Sequence, residues 1–138
     1  MIRAVIDTNV LVSALLSPEG NAALIVQAVK AELISIFLTD EIVSEYDDVL
    51  KRPKFGFEPD VTSGLLDMIH MQASIVQPDR SAAVSPDPGD TKFLQCALAA
   101  RADAIITGNQ RHYPDGPYGP TQIFSISEFL ERLTDEKR

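Results

Sequence analysis

Short apolar runs alternate with amphipathic stretches along most of the chain. Continuous aliphatic runs of about 4–8 residues are typical of buried strands, and apolar residues three or four positions apart are typical of helices. The pattern predicts strands at residues 2–6, 33–38, 74–76, 104–107 and 122–124. It predicts helices at residues 10–16, 21–31, 40–50, 59–72 and 91–101. A last helix follows the capping box Ser125-x-x-Glu128, and Asn21 and Thr39 are candidate N-caps.

This order of elements indicates the fold class. Strands that alternate with helices are typical of a mainly parallel sheet covered by helices on both faces. We therefore expect an α/β fold, a three-layer α/β/α sandwich, formed by residues 1–138 as a single domain. Parallel strands bring their carboxyl ends to one edge of the sheet, where ligands usually bind. Asp7 and the segment Thr107–Asn109 each follow a predicted strand, so both should lie at that edge.

Composition says more about the cellular compartment of the protein than about its binding partner. The chain is 45% hydrophobic and 23% charged, as is ordinary for a globular protein, and its net charge is −8. Cys96 is the only cysteine, so an intramolecular disulfide is excluded and a reducing compartment is favoured. No apolar run reaches the ~20 residues that cross a bilayer. Asp7 and Asn9 also interrupt the stretch that a signal peptide would need to be apolar. We expect a cytoplasmic protein with no membrane partner.

Acidic residues supply the candidate chemistry. Asp7 interrupts the aliphatic run VIDTNVLVSALL, although an unpaired buried carboxylate costs several kcal/mol or takes up a proton. Glu45 and Asp47 flank the apolar face of one predicted helix, and periodicity does not choose between them. Asp90 opens the helix at 91–101. Each acid also has an ordinary interpretation, as a turn residue, a solvated helix edge or an N-cap.

The joint interpretation of these acids is a metal site. Carboxylates that converge on one pocket repel one another, and a hard cation such as Mg²⁺ removes that repulsion. Metal-activated water then hydrolyses a phosphodiester without a Ser, Cys or His nucleophile. A net charge of −8 disfavours nucleic-acid binding through Lys and Arg, but bound cations would weaken that argument. The residue cluster Lys51-Arg52-Pro53-Lys54 is the densest positive patch and a candidate RNA-backbone contact, or an ordinary solvated helix end.

Three segments resemble the PIN-domain family, specifically the bacterial PIN-domain ribonuclease toxins of toxin–antitoxin pairs (VapC-like). They are VIDTNVLVSALLSPEG, LTDEIVSEYDDVLKRPKF and DPGDTKFLQCALAARADAIITGNQRHYP, and they occur in the family's order. The resemblance implies that Asp7, Glu45 rather than Asp47, and Asp90 are the catalytic and metal-binding acids. It places the fourth family position in Thr107-Gly108-Asn109, where Asn109 is an amide instead of an acid. We therefore expect one tightly held Mg²⁺ or Mn²⁺.

Several neighbours of these acids are expected to support them. Asn9, Thr107 and Asn109 are candidate supporting residues, and Thr8 is expected to hydrogen-bond a carboxylate or a phosphate unless it only caps its helix. Arg111 and His112 are candidate phosphate contacts, and Asp87 a candidate outer neighbour of the site, although simple solvation explains all three. Thr91 stands where related sequences often carry another Asp.

The resemblance also implies a function and partners. It implies a Mg²⁺- or Mn²⁺-dependent endoribonuclease that acts on RNA, a cytoplasmic homodimer inhibited by a cognate antitoxin protein. Two alternatives stay open. One is a catalytically weak PIN-like module that binds RNA or protein, which Asn109 and Thr91 favour. The other is a phosphoaspartate receiver-like domain, which is disfavoured because Asp7 has no acidic neighbour and no lysine follows a late strand.

Overall fold

The computed structural model describes residues 1–81, 88–113 and 116–136, and five parallel strands and six α-helices run through them. The strands are β1 (Ile2–Ile6), β2 (Ile34–Leu38), β3 (Ser74–Ile75), β4 (Ala104–Ile106) and β5 (Gln122–Phe124). The helices are α1 (Thr8–Leu16), α2 (Asn21–Lys30), α3 (Asp40–Leu50), α4 (Pro59–Gln72), α5 (Thr91–Ala100) and α6 (Ile126–Glu136). Short 3₁₀ turns, which the pattern did not predict, lie at Pro53–Phe55, Pro88–Asp90 and Gln110–His112.

The sheet has the strand order β3-β2-β1-β4-β5, and every pair is parallel. β1 is central and pairs with β2 on one side and β4 on the other, so the direction of the winding reverses there. Such a reversal opens a crevice at the carboxyl ends of the strands, which is where α/β proteins bind ligands. Asp7 extends the β1–β4 pairing, since its backbone amide donates to the Ile106 carbonyl at 2.9 Å.

Helices cover the sheet and complete the expected three-layer fold. α5 packs on β1, β2 and β4, and α3 packs against α5; α2 packs on β2 among α1, α4 and α6. The central strands β1, β2 and β4 are mostly buried because both faces are covered, and β4 is completely enclosed, whereas the edge strand β3 is exposed. Tyr46 of α3 is also buried, and its hydroxyl donates to the Ile6 carbonyl at the end of β1. This contact fixes α3 against the strand that precedes Asp7.

Helix starts show where local sequence was a reliable guide. The Thr39 side chain accepts from the Ile42 amide and caps α3, as predicted. The capping box of α6 is also confirmed, because Ser125 and Glu128 exchange hydrogen bonds of 2.9 and 3.1 Å. The Asn21 prediction was wrong: Gly20 is the N-cap of α2, without a side-chain bond, and Asn21 is the first helical residue.

Among the described residues, no single helix is long and apolar enough to span a membrane, although α1 and α2 pass that test together as a pair bent by 108°.

Candidate functional site

Asp7 lies at the carboxyl end of β1 and is 4% exposed. Its Oδ2 accepts hydrogen bonds from Thr107 Oγ1 and from the Tyr113 hydroxyl, both at 2.9 Å. Its Oδ1 accepts a longer bond of 3.4 Å from the Asn9 amide, which makes Asp7 the N-cap of α1. Asp7 is therefore a helix N-cap rather than the turn residue of its ordinary interpretation, and this role engages only one carboxylate oxygen.

The environment of Asp7 makes its ionised form more costly than it is in water. Burial raises the pKa of Asp7 above its ordinary value, and the nearby Glu45 carboxylate raises it further. Hydrogen bonds from Thr107, Tyr113 and the Asn9 amide lower the pKa of Asp7, but they do not cancel the effect of burial. An ionised Asp7 thus has a free-energy cost at neutral pH that a bound cation would offset.

Asn9 and Thr107 join the ends of β1 and β4. Asn9 Oδ1 accepts from the Gly108 amide at 3.0 Å, and Asn9 Nδ2 is 3.5 Å from Thr107 Oγ1. Thr107 is fully buried, and its hydroxyl also accepts from the Asn109 amide at 3.0 Å while it donates to Asp7. Both predicted supporting residues therefore contact Asp7, Asn9 from two residues away and Thr107 from a hundred residues away in sequence. Asn109 contributes its backbone amide to this network, and its side chain is exposed.

Glu45 faces the same edge from α3. Thr8 Oγ1 donates to Glu45 Oε2, and Lys92 Nζ lies 2.6 Å from Glu45 Oε1. Both partners of this ion pair are largely buried, with side chains 21% and 24% exposed. Asp47 points elsewhere, because it pairs with Lys51 along the helix and is 52% exposed. The ambiguity left by helical periodicity is thereby removed: Glu45, and not Asp47, lies beside Asp7.

Asp90 lies at the start of α5 and is 9% exposed. It occupies the N-cap position without a side-chain capping bond, and its Oδ2 is 3.1 Å from His112 Nδ1. Burial is the largest cause of the raised pKa of the Tyr113 hydroxyl, and the charges of Asp7 and Asp90 raise that pKa further. Tyr113 therefore lies within electrostatic range of both acids. His112 thus meets a carboxylate in this structure, Arg111 is exposed, and Thr91 is half-buried. Asp87 lies outside the described residues.

Two members of the site, Lys92 and Tyr113, were not predicted. Lys92 follows Asp90 by two residues and reaches Glu45 across the contact between α5 and α3. Tyr113 lies after a 3₁₀ turn in a predicted loop, and it is buried against Asp7. The D-T-K spacing at the start of α5 was a usable signal for Lys92, because a lysine in the first turn of a helix that opens with a candidate acidic ligand lies near the same site. No periodic pattern marks Tyr113.

The donor set suits a hard divalent cation in its chemistry. Asp7, Glu45 and Asp90 offer carboxylate oxygens, the ligands that Mg²⁺ and Mn²⁺ prefer. Over residues 1–81, 88–113 and 116–136, however, no three acidic, histidine or cysteine side chains are arranged to hold one ion together. Glu45 turns towards Lys92 and Asp90 towards His112. The residues therefore fit the ion by type and location, and loading it requires side chains to turn from these partners.

The fold and this edge of acidic residues define a class. Residues 3–111, well over half of the chain, match the family model of the PIN domain. The protein therefore belongs to the PIN-domain family, whose members are usually nucleases and typically use divalent metal ions.

A similar protein occurs in an archaeon. The chain is 31% identical over 113 residues to an uncharacterized protein of Methanocaldococcus jannaschii, MJ1680, and the match covers 79% of this chain and 72% of that protein. The relative's name assigns no activity. The similarity thus agrees with the family assignment and does not bear on a toxin role.

Proposed function

We propose that this protein is a metal-dependent endoribonuclease that hydrolyses RNA phosphodiesters. The observation that carries the proposal is the convergence of Asp7, Glu45 and Asp90 at the carboxyl edge of β1 and β4, in a member of a family that usually consists of nucleases. Asp7, Glu45 and Asp90 would hold Mg²⁺ or Mn²⁺, which when bound supplies an activated water and polarises the phosphate.

The chain's own side chains prepare the acids for this role. Thr107 and Tyr113 orient Asp7 through neutral hydroxyl donors, so these two contacts do not neutralise its negative charge. Thr8 holds one oxygen of Glu45 and Lys92 neutralises the other. Lys92 therefore lowers the repulsion among the acids in the metal-free protein, and once Glu45 turns away its ammonium is placed near the anionic substrate.

The cellular role follows from the resemblance. We infer that the protein is the toxin of a toxin–antitoxin pair, a cytoplasmic homodimer inhibited by a cognate antitoxin. Support comes from the three segments that match VapC-like sequences in order, of which DPGDTKFLQCALAARADAIITGNQRHYP supplies Asp90, Lys92 and the Thr107–Asn109 segment.

Conservative substitutions of the acids test the enzyme proposal. Asp7→Asn and Asp90→Asn should each abolish cleavage of a 3′-fluorescein-labelled RNA in the presence of Mn²⁺, while each variant still unfolds cooperatively. Asp47→Asn is the matched control, because it removes the same charge from the solvated side of α3 and should keep full activity. Cleavage by both site variants at the wild-type rate would overturn the proposal.

A catalytically weak binding module is the second candidate. The Glu45–Lys92 ion pair favours it, because an acid already neutralised by the protein gains less from a metal ion. Calorimetric titration with Mn²⁺ separates the candidates: binding below millimolar concentration supports the enzyme, and no heat at millimolar ion supports the module.

A further inference from the structure

Two phenylalanines stack in the connection between α3 and α4. The rings of Phe55 and Phe57 have centroids 5.4 Å apart and planes 9° apart, and Lys54 Nζ lies 5.0 Å from the Phe55 centroid. We propose that Lys54, Phe55 and Phe57, the aromatic platform, bind single-stranded RNA by stacking a base and contacting a phosphate. The proposal rests on the proposed function, because it takes RNA as the substrate.

The backbone conformation at Gly56 allows the two rings to stack. On a helix, side chains two residues apart do not face each other, but here Gly56, between the rings, ends the 3₁₀ turn with a φ of 62° in the left-handed region that favours glycine. Phe57 packs against the buried core, so it holds the pair in place. Parallel rings in direct face contact are about 3.5–4.0 Å apart. The 5.4 Å centroid distance is consistent with an offset stack, and both phenylalanines are half-buried, so part of each side chain is accessible.

Lys54 is the cation of the platform. Lys51 pairs with Asp47 at 2.6 Å and Arg52 with Asp48 at 3.1 Å, so the positive charges that precede it are already neutralised along α3. Lys54 is exposed and stands over the Phe55 ring. The proposed binding surface therefore depends mainly on stacking, with one cation, and stacking tolerates any sequence because every base has a π-face.

The platform is close to the candidate site along the chain. Glu45 precedes the end of α3 by five residues, a rise of about 7.5 Å, and the platform begins four residues beyond Leu50. The chain from Glu45 to Lys54 therefore reaches at most about 22 Å, a distance that a short single strand of RNA can span. A protein partner is disfavoured, because aromatic anchors of protein interfaces lie within an apolar core, whereas Arg52, Pro53 and Glu58, which flank the platform in sequence, are all exposed and two of them are charged.

Equilibrium RNA binding without metal tests the platform separately from catalysis. The probe is a fluorescein-labelled oligoadenylate of twelve nucleotides, measured by anisotropy in EDTA, where no cleavage competes. Phe55→Leu should weaken binding by about tenfold, the loss typical of removing one aromatic–base stack. Phe55→Trp should retain the wild-type affinity, which a purely structural role for the phenylalanine would not explain. Leu24→Ala is the control, since Leu24 is a 49% exposed apolar residue on α2, and it should bind like wild type.

The salt dependence gives a second readout. Lys54→Ala should reduce the slope of log affinity against log salt concentration by about 0.7, the value for one phosphate of a single strand. Phe55→Leu should lower affinity without changing that slope, and Lys30→Ala, which removes an exposed lysine from α2, should change neither. Wild-type affinity in Phe55→Leu, or a wild-type protein that does not bind the probe, would overturn the proposed RNA-binding role. The segment would then be a contact for another protein or only a connection between helices. Loss of cleavage in Asp7→Asn reports on the proposed function alone, so the two failures are distinguishable.

Discussion

The hydrogen bond from Tyr113 to Asp7 predicts a large and pH-dependent loss of stability in Tyr113→Phe. The bond is 2.9 Å long, and the two residues are 6% and 4% exposed, so water cannot replace the missing donor without opening the structure. A hydrogen bond to a charged group is worth about 1.5–3 kcal/mol. The variant should therefore lose about that much free energy of unfolding at neutral pH.

The same quantity can be read as a melting temperature. An unfolding entropy of about 2.1 cal/mol/K per residue gives roughly 0.3 kcal/mol/K for 138 residues. The predicted fall in Tm is therefore about 5–10 °C, measured by circular dichroism in EDTA at pH 7.

The pH dependence distinguishes the charged hydrogen bond from simple packing. Burial raises the pKa of Asp7, so the folded state holds this proton more tightly than the unfolded chain, and ionising Asp7 costs stability as the pH rises through its folded pKa. The Tyr113 bond lowers the pKa of Asp7, so removing it raises the pKa further. The difference between variant and wild type should be complete where Asp7 is ionised in both proteins. It should shrink, as the pH falls below the wild-type pKa of Asp7, to the ~0.5–1.5 kcal/mol of a neutral bond.

Tyr46→Phe is the matched control for this experiment. The Tyr46 hydroxyl is equally buried but donates to the neutral Ile6 carbonyl, so its loss should cost about 0.5–1.5 kcal/mol, with little dependence on pH. Equal, pH-independent losses in the two variants would refute the view that Tyr113 stabilises an ionised Asp7. A Tm unchanged in Tyr113→Phe would refute the hydrogen bond itself.

Three further substitutions test other parts of the structure. Lys92→Met should tighten Mn²⁺ binding by about five- to tenfold in calorimetry, roughly the 1 kcal/mol of an ion pair that the metal no longer has to break, and weaker binding would show that Lys92 orients Glu45 for the metal. Asn109→Asp should raise the calorimetric Mn²⁺ stoichiometry from one to two, and an unchanged stoichiometry would place the residue outside the site. Gly56→Ala should lower the free energy of unfolding by about 1–2 kcal/mol because of its positive φ, whereas Gly64→Ala, in the open interior of α4, should raise it by about 0.5–1 kcal/mol; urea titration that shows the same sign for both would contradict the backbone argument.

The sequence was sufficient for the frame of the site, because that frame follows from the backbone. Asp7 and Thr107 were expected to meet since each follows a parallel strand, and the β1–β4 pairing places a 2.9 Å bond between their side chains. The boundaries of α3 and α4 also agree with the prediction, because Thr39, Pro53 and Pro59 mark helix ends by local chemistry alone.

Side-chain partners across packed elements could not be predicted in this way. Periodicity gave Glu45 and Asp47 equal claims, and the direction of α3 against α5 and α1 decides between them by placing Lys92 and Thr8 beside Glu45. Tyr113 lies in a segment without regular structure, where spacing in sequence says nothing about which core residue a side chain meets. The Asn21 error has a local origin: Gly20 adopts the extended N-cap conformation, so Asn21 is already within the helix.

The two kinds of partner around the acids account for a carboxylate at the edge of the core. Asp7 receives neutral hydroxyl and amide donors, which orient it and lower its pKa, but burial outweighs them and the pKa of Asp7 is raised. Glu45 receives a lysine, whose long side chain can move away without disturbing the sheet. The protein can therefore fold with Glu45 neutralised by Lys92 and with Asp7 held in a fixed orientation in which its ionisation costs free energy. The cation that is proposed to bind to these acids would offset that cost. Asp7→Asn, which should abolish the proposed cleavage, should therefore leave the free energy of unfolding of the metal-free protein equal to that of wild type or higher.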